Sequence, residues 1–150
     1  KVNSVPENYF ILEINTISFT FIRTYTIGLI KYVIAWFVII ALGLISRQVN
    51  QIPPLIGDIL YAVMVYLMFR ILLLSKALKN AFYATIIFCF VIEFLQLVQW
   101  APLIWIRQHP LLRLVFGQGF LCSDLLAYLI GGLIAYYMDV RFLYNLGRRK

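Results

Sequence analysis

The sequence is short of charge, and of acid above all. Only 13% of its 150 residues are Asp, Glu, Lys or Arg, and only six of them are acidic. A soluble domain has about a quarter of its residues charged and about half apolar; here 63% are hydrophobic. That excludes a fold wetted on all sides and leaves an integral membrane bundle of one domain. Cysteine is nearly missing. Cys89 and Cys122 give neither a metal-ligand spacing nor a disulfide framework, and each reads as a small buried hydrophobe. No cofactor is expected. The single histidine, His109, lies beside Pro110 and reads as a loop residue. HExxH, GxSxG, P-loop and Cys/His nucleophile patterns are absent, so an enzyme gains little support. The chain opens on Lys1 rather than Met, as a trimmed chain would, and shows no cleavable signal pattern.

What is present is apolar and basic. Lys and Arg outnumber Asp and Glu by 13 to 6. A nucleic-acid binder would gather that excess on one face with exposed aromatics; here most cations flank apolar runs, which suits membrane orientation and no nucleic-acid partner. Four runs are long enough for a hydrocarbon core of about 30 Å. They predict helices over Thr26–Ile45, Asp58–Ser75, Ala81–Trp100 and Ser123–Tyr144. The expected fold is therefore an all-α membrane protein, a bundle of four transmembrane helices with an N-terminal interfacial or extended segment. Residues 1–25 form that segment, 26–144 the membrane domain and 145–150 a basic tail. Tyr9–Phe21 is apolar but carries Glu13, Asn15, Thr16 and Ser18, and its β-branched residues allow a strand or an interfacial helix. Ala101–Gln118 is expected as a loop lying in the interface.

Four spans put both termini on one side. Ten cations fall on that side and three, Arg47, Arg107 and Arg113, on the other. The positive-inside bias predicts cytoplasmic termini. Arg70 and the tail cations are expected to reach anionic lipid.

This topology assembles the unusual residues. Within CFVIEFLQLVQW, Glu93 and Gln96 share a helical face with Cys89, Leu97 and Trp100. A carboxylate in hydrocarbon marks a partner or a site. Glu93 is expected about 10 Å below the outer end of its helix, where the dipole disfavours a negative charge. It must be neutral, or paired with Arg47 or Arg107, or facing the starts of helices 2 and 4. Asp58 and Asp124 are expected at those starts, where a carboxylate also serves as a cap. Tyr128 lies one turn deeper. Gln96 also suits a helix–helix hydrogen bond, and Tyr61, Tyr66, Gly131 and Gly132 suit close helix contact.

The candidate ligand-binding residues are thus Arg47, Asp58, Glu93, Gln96, Arg107, Asp124 and Tyr128. Two helix starts and three arginines suit an anion, and at that depth the anion is a lipid phosphate or a lipid-linked envelope precursor. The expected partners are membrane lipids with anionic headgroups. An accessory role in a larger membrane complex is the alternative. An enzyme on a lipid-linked substrate, with Asp58 or Asp124 paired to Glu93, is a further one.

The order Arg, Gly-Asp opening a helix, Glu-x-x-Gln, a glycine-containing loop and Asp-x-x-x-Tyr-x-x-Gly resembles the bacterial membrane family of domain of unknown function 2809. Here it reads Arg47, Gly57, Asp58, Glu93, Gln96, Gly117, Asp124, Tyr128 and Gly131. More distantly it is similar to VanZ-like membrane proteins. The N-terminal segment is longer than that pattern requires, as is the link from Arg47 to Gly57. The resemblance implies a bacterial inner-membrane protein with no established activity. The VanZ-like pattern adds an association with glycopeptide-antibiotic tolerance at the cell envelope.

Overall fold

The computed structural model of the chain describes residues 7–49, 51–98, 100–109, 112 and 119–143, with side chains over residues 26–142 of these ranges, Arg107 excepted. Among the described residues the protein is helical with no strand, and four helices are long and apolar enough to cross a membrane.

The first helix, α1, runs unbroken from Glu7 to Gln48. Its membrane-length portion is Thr26–Gln48, so about 28 Å of helix precedes the span at 1.5 Å per residue. The N-terminal segment, open between strand and interfacial helix in the sequence, is helical from Glu7 and continuous with the span. Neither proline nor glycine lies between Pro6 and Gly28, and each β-branched residue weakens a helix by less than about 0.7 kcal/mol.

Helix α2 is Pro54–Leu72. It begins four residues before Asp58, because a proline in the first turn has no N–H to leave unpaired and a φ already suited to the helix. Asp58 is therefore in the second turn and does not cap α2; the first turn holds no acid. Helix α3 is Leu78–Leu95, shorter at its C-terminal end than the apolar run suggests. Beyond it the chain tightens: the amides of Gln96, Leu97 and Val98 donate to the carbonyls of Glu93, Phe94 and Leu95 at 3.1, 3.1 and 3.0 Å, the i→i+3 pattern of a closing turn. Glu93 thus sits in the last turn of α3, nearer the end than the expected 10 Å.

A short helix α4, Ala101–Gln108, replaces the first half of the expected loop. Helix α5 is Cys122–Met138, and a π-helical turn, Asp139–Leu143, continues it. Cys89 is buried as expected; Cys122 opens α5 and is exposed.

Helix α2 lies at the centre. It packs against α1, α3 and α5, and α5 also packs against α3. The two adjacent glycines explain how α5 fits between its neighbours. A Cβ on Gly131 would collide with the Ile59 carbonyl oxygen of α2 and lie 2.9 Å from the Ala62 Cβ; one on Gly132 would meet Ile86 of α3 at 3.0 Å. Small residues at such a seam let backbones approach where lipid supplies no hydrophobic drive between helices. The α1 span is the least embedded, with 6% of its window buried against 28–33% for the other three.

Gly131→Ala is expected to destabilise the protein by about 1–3 kcal/mol, the usual cost of overpacking, because the obstacle is backbone. A Cβ on Gly57 would meet the Arg47 Nε at 3.5 Å, an ordinary contact, so Gly57→Ala should stay within about 0.5 kcal/mol of the parent. Thermal unfolding of both variants in mild detergent separates the two.

Candidate functional site

Call the end of the bundle where α1 stops and α2 starts the Arg47 end. There α3 finishes and α5 begins, so four helix termini converge. Glu93 in the last turn of α3 is fully buried. Its Oε1 accepts from the Leu121 amide at 2.9 Å; its Oε2 accepts from Gln96 Nε2 at 2.8 Å and from the Tyr128 hydroxyl at 3.1 Å. Gln96 in turn accepts the Gly119 amide on Oε1 at 2.9 Å. Three donors therefore meet on one carboxyl group, and a fourth, the Gly119 amide, is held by the Gln96 side chain beside it.

Of the options for Glu93, pairing with Arg107 falls on a side chain outside the described residues. Among the described residues Glu93 bonds neither Arg47 nor any other arginine. It faces the start of α5, whose preceding residue, Leu121, has no side-chain cap. Glu93 supplies from a different helix the acceptor for the N-cap amide that a Glu or Gln three residues into α5 would give in a capping box. Together with the Phe94–Phe120 ring stack, centroids 5.9 Å apart, it ties residues 119–121 to the end of α3. Gln96 and Tyr128 belong to the same network, as the sequence placed them.

The other predicted residues form a separate, wetter group. Arg47 Nη2 lies 3.6 Å from Asp58 Oδ1, and the arginine side chain is 46% exposed. That distance exceeds the 2.7–2.9 Å of a charge-assisted hydrogen bond, so the pair is loose. Asp124 is in the first turn of α5, as expected, and accepts from the Ser123 hydroxyl at 2.9 Å. Both Asp124 and Glu93 lie within electrostatic reach of Asp58. Arg107 falls in α4, but its side chain, and the whole of Arg113, lie outside the described residues. The described cluster holds three acids and one arginine. Among the described residues no group of His, Cys, Asp and Glu is disposed to hold a metal ion.

The sequence reading missed a second polar centre at the opposite end. Arg70 was expected to reach lipid; instead it is buried, 3% exposed, and its Nε donates to Asp139 Oδ2 at 2.9 Å. Asp139, fully buried, also accepts from the Tyr32 hydroxyl at 2.6 Å and the Tyr66 hydroxyl at 2.8 Å. The Arg70 Nη1 donates to the Leu73 and Lys76 carbonyls at 3.2 and 3.4 Å, closing the C-terminus of α2 as a basic side chain can. The signal was there: Tyr66 and Arg70 are one turn apart on α2, and Asp139 interrupts an apolar run on the same membrane side.

A family model described as protein of unknown function (DUF2809) matches residues 47–132, more than half of the chain. No solved structure matches.

Glu93→Ala should cost about 3 kcal/mol, since it strands the Leu121 amide and removes the acceptor of two side chains. Tyr128→Phe should cost under about 1 kcal/mol, the usual worth of one hydrogen bond between membrane helices. Asp139→Ala should cost about 3–5 kcal/mol by leaving a buried arginine unpaired. Reversible unfolding in mild detergent ranks the three; equal losses from Glu93→Ala and Tyr128→Phe would show that Glu93 is not the hub.

Proposed function

The chain belongs to that family, and because the family brings no activity with it, we propose one from the geometry: the Arg47 end binds the polar headgroup of an anionic membrane lipid or a lipid-linked envelope precursor. The observation that carries this reading is the contrast between the two arginines at the bundle ends. Arg70 is buried and bonded on every side. Arg47 is half exposed, loosely paired and positioned where a span ends, at headgroup depth. A guanidinium so placed offers its fork to a phosphate.

The acids refine the ligand class. Three carboxyl groups share this end with the Arg47 guanidinium. They suit a headgroup that adds hydroxyl or amine donors to its phosphate, with Asp58 and Asp124 accepting those donors. Glu93, Gln96 and Tyr128 hold the site's frame. The count of ten cations against three supports an outer-side position for this end, with both termini cytoplasmic in a bacterial inner membrane as the reading we adopt. The distant VanZ-like pattern agrees with an envelope role.

A second reading, an accessory subunit of a larger membrane complex, is favoured by α1. That helix carries about 28 Å of length ahead of Thr26, and its Thr26–Gln48 span buries little of itself against the described residues. Migration as a large assembly in mild detergent supports this reading; a monodisperse monomer that retains lipid supports the first.

Native mass spectrometry from mixed phosphatidylglycerol and phosphatidylcholine is the direct test. Arg47→Ala should weaken phosphatidylglycerol retention roughly tenfold, equivalent to one charge-assisted contact. It should leave folding intact, because exposed pairs add little stability. Equal retention by parent and variant would remove the lipid-headgroup reading.

A further inference from the structure

Helix α1 packs chiefly on α2, and its outward face of Ile27, Ile30, Ile34, Phe37 and Val38 is exposed. Lipid tails are as apolar as these side chains, so burial alone gives α1 no preferred rotation and no preferred depth. A span whose outward face is this apolar gains a single placement from a polar contact on its inward face. The Arg47–Asp58 pair, half exposed and 3.6 Å long, is too loose to do it. Tyr32 is different. Its hydroxyl donates to Asp139 Oδ1 at 2.6 Å and accepts from Arg70 Nη2 at 3.3 Å, while the Arg70 guanidinium carbon lies 5.1 Å from the centre of its ring. Tyr32 is 4% exposed, so water does not stand in for either bond.

We infer that Tyr32, Asp139 and Arg70 form a docking key that fixes the depth and rotation of α1 on a core made of α2, α3 and α5. The three residues come from three different helical segments, and two of them carry opposite charges inside the bundle. A slip of one residue turns the Tyr32 side chain by about 100° away from Asp139, and a slip of one turn moves it about 5.4 Å along the axis. Either displacement leaves one oxygen of a buried carboxyl group and one N–H of a buried guanidinium without a partner. In hydrocarbon such groups find no substitute. The ion pair itself, Arg70 with Asp139, joins α2 to the end of α5 and exists without α1; Tyr32 reads it. The key therefore selects placement rather than supplying most of the stability, the role for which buried polar groups are best attested. It does not depend on what the Arg47 end binds.

The test uses the full chain in lipid nanodiscs, with the exposed Cys122 changed to Ser and spin labels at Ile27→Cys and Leu72→Cys, both exposed positions on α1 and α2. A second label pair, Leu72→Cys with Phe142→Cys, reports the α2–α5 core. The parent should give one narrow distance distribution for each pair. Tyr32→Phe, which removes only a hydroxyl, should give the α1–α2 pair a second population displaced by about one helical turn, ~5 Å, and leave the core pair unchanged. Arg70→Met combined with Asp139→Leu removes the key without stranding a charge. It should keep the core distance and the melting temperature near the parent's while broadening α1–α2 in the same way. A narrow, unshifted α1–α2 distribution in both variants would overturn the inference, because shape alone would then place α1. Loss of the core distance in Tyr32→Phe would overturn it too, since α1 would then be part of the core.

Discussion

A carboxyl group shut inside the end of a helical bundle has to be met by donors from the chain itself, and the architecture of the Arg47 end follows from how Glu93 is met. Its partners come from α3, from the residues leading into α5 and from α5 itself. One side chain thereby joins the end of α3 to the start of α5. The unusual feature is the direction of dependence. A helix start is commonly capped by its own sequence, but α5 has Leu121 before it and borrows its acceptor from a neighbour. The bundle end is consequently a tertiary unit, and the wetter group of Arg47, Asp58 and Asp124 rests on it.

Much of this was legible in the sequence because the bilayer is a strict reader. Four apolar runs of sufficient length gave four spans, since only internally bonded backbone crosses hydrocarbon. Glu93 stood out because nothing local excused it, and Gly131 and Gly132 stood out because adjacent glycines suit a close seam. The misreadings have equally specific causes. Pro53 and Pro54 look like a loop, but a proline is at home in a first helical turn, so α2 starts early and Asp58 loses its capping role. The Glu93 run reads as helix to Trp100, yet Gln96 turns its amide back to Glu93 and the helix closes at Leu95. Arg70 was misread because an arginine near a helix end is excused by snorkelling; whether it turns outward or inward depends on Asp139, 69 residues away.

The two arginines show why residue type does not fix role in a membrane. Each lies near the end of a span and each has an aspartate beside it. One is sealed by tyrosines and carbonyls into a closed set of bonds, and there the charge works as a fastening. The other meets its aspartate at 3.6 Å with nearly half of its side chain exposed, and there the charge faces outward. Burial and bond length, rather than identity, separate the two.

Between the polar ends the bundle interior is filled by Ala62, Val65, Cys89 and the rings and thioethers packed around them, and at Gly131 the α2 and α5 backbones come too close for anything to pass. That middle layer acts as a septum. A movement of α2 against α5 at one end is carried to the other by this rigid seam, so the two polar centres are coupled through the placement of shared helices.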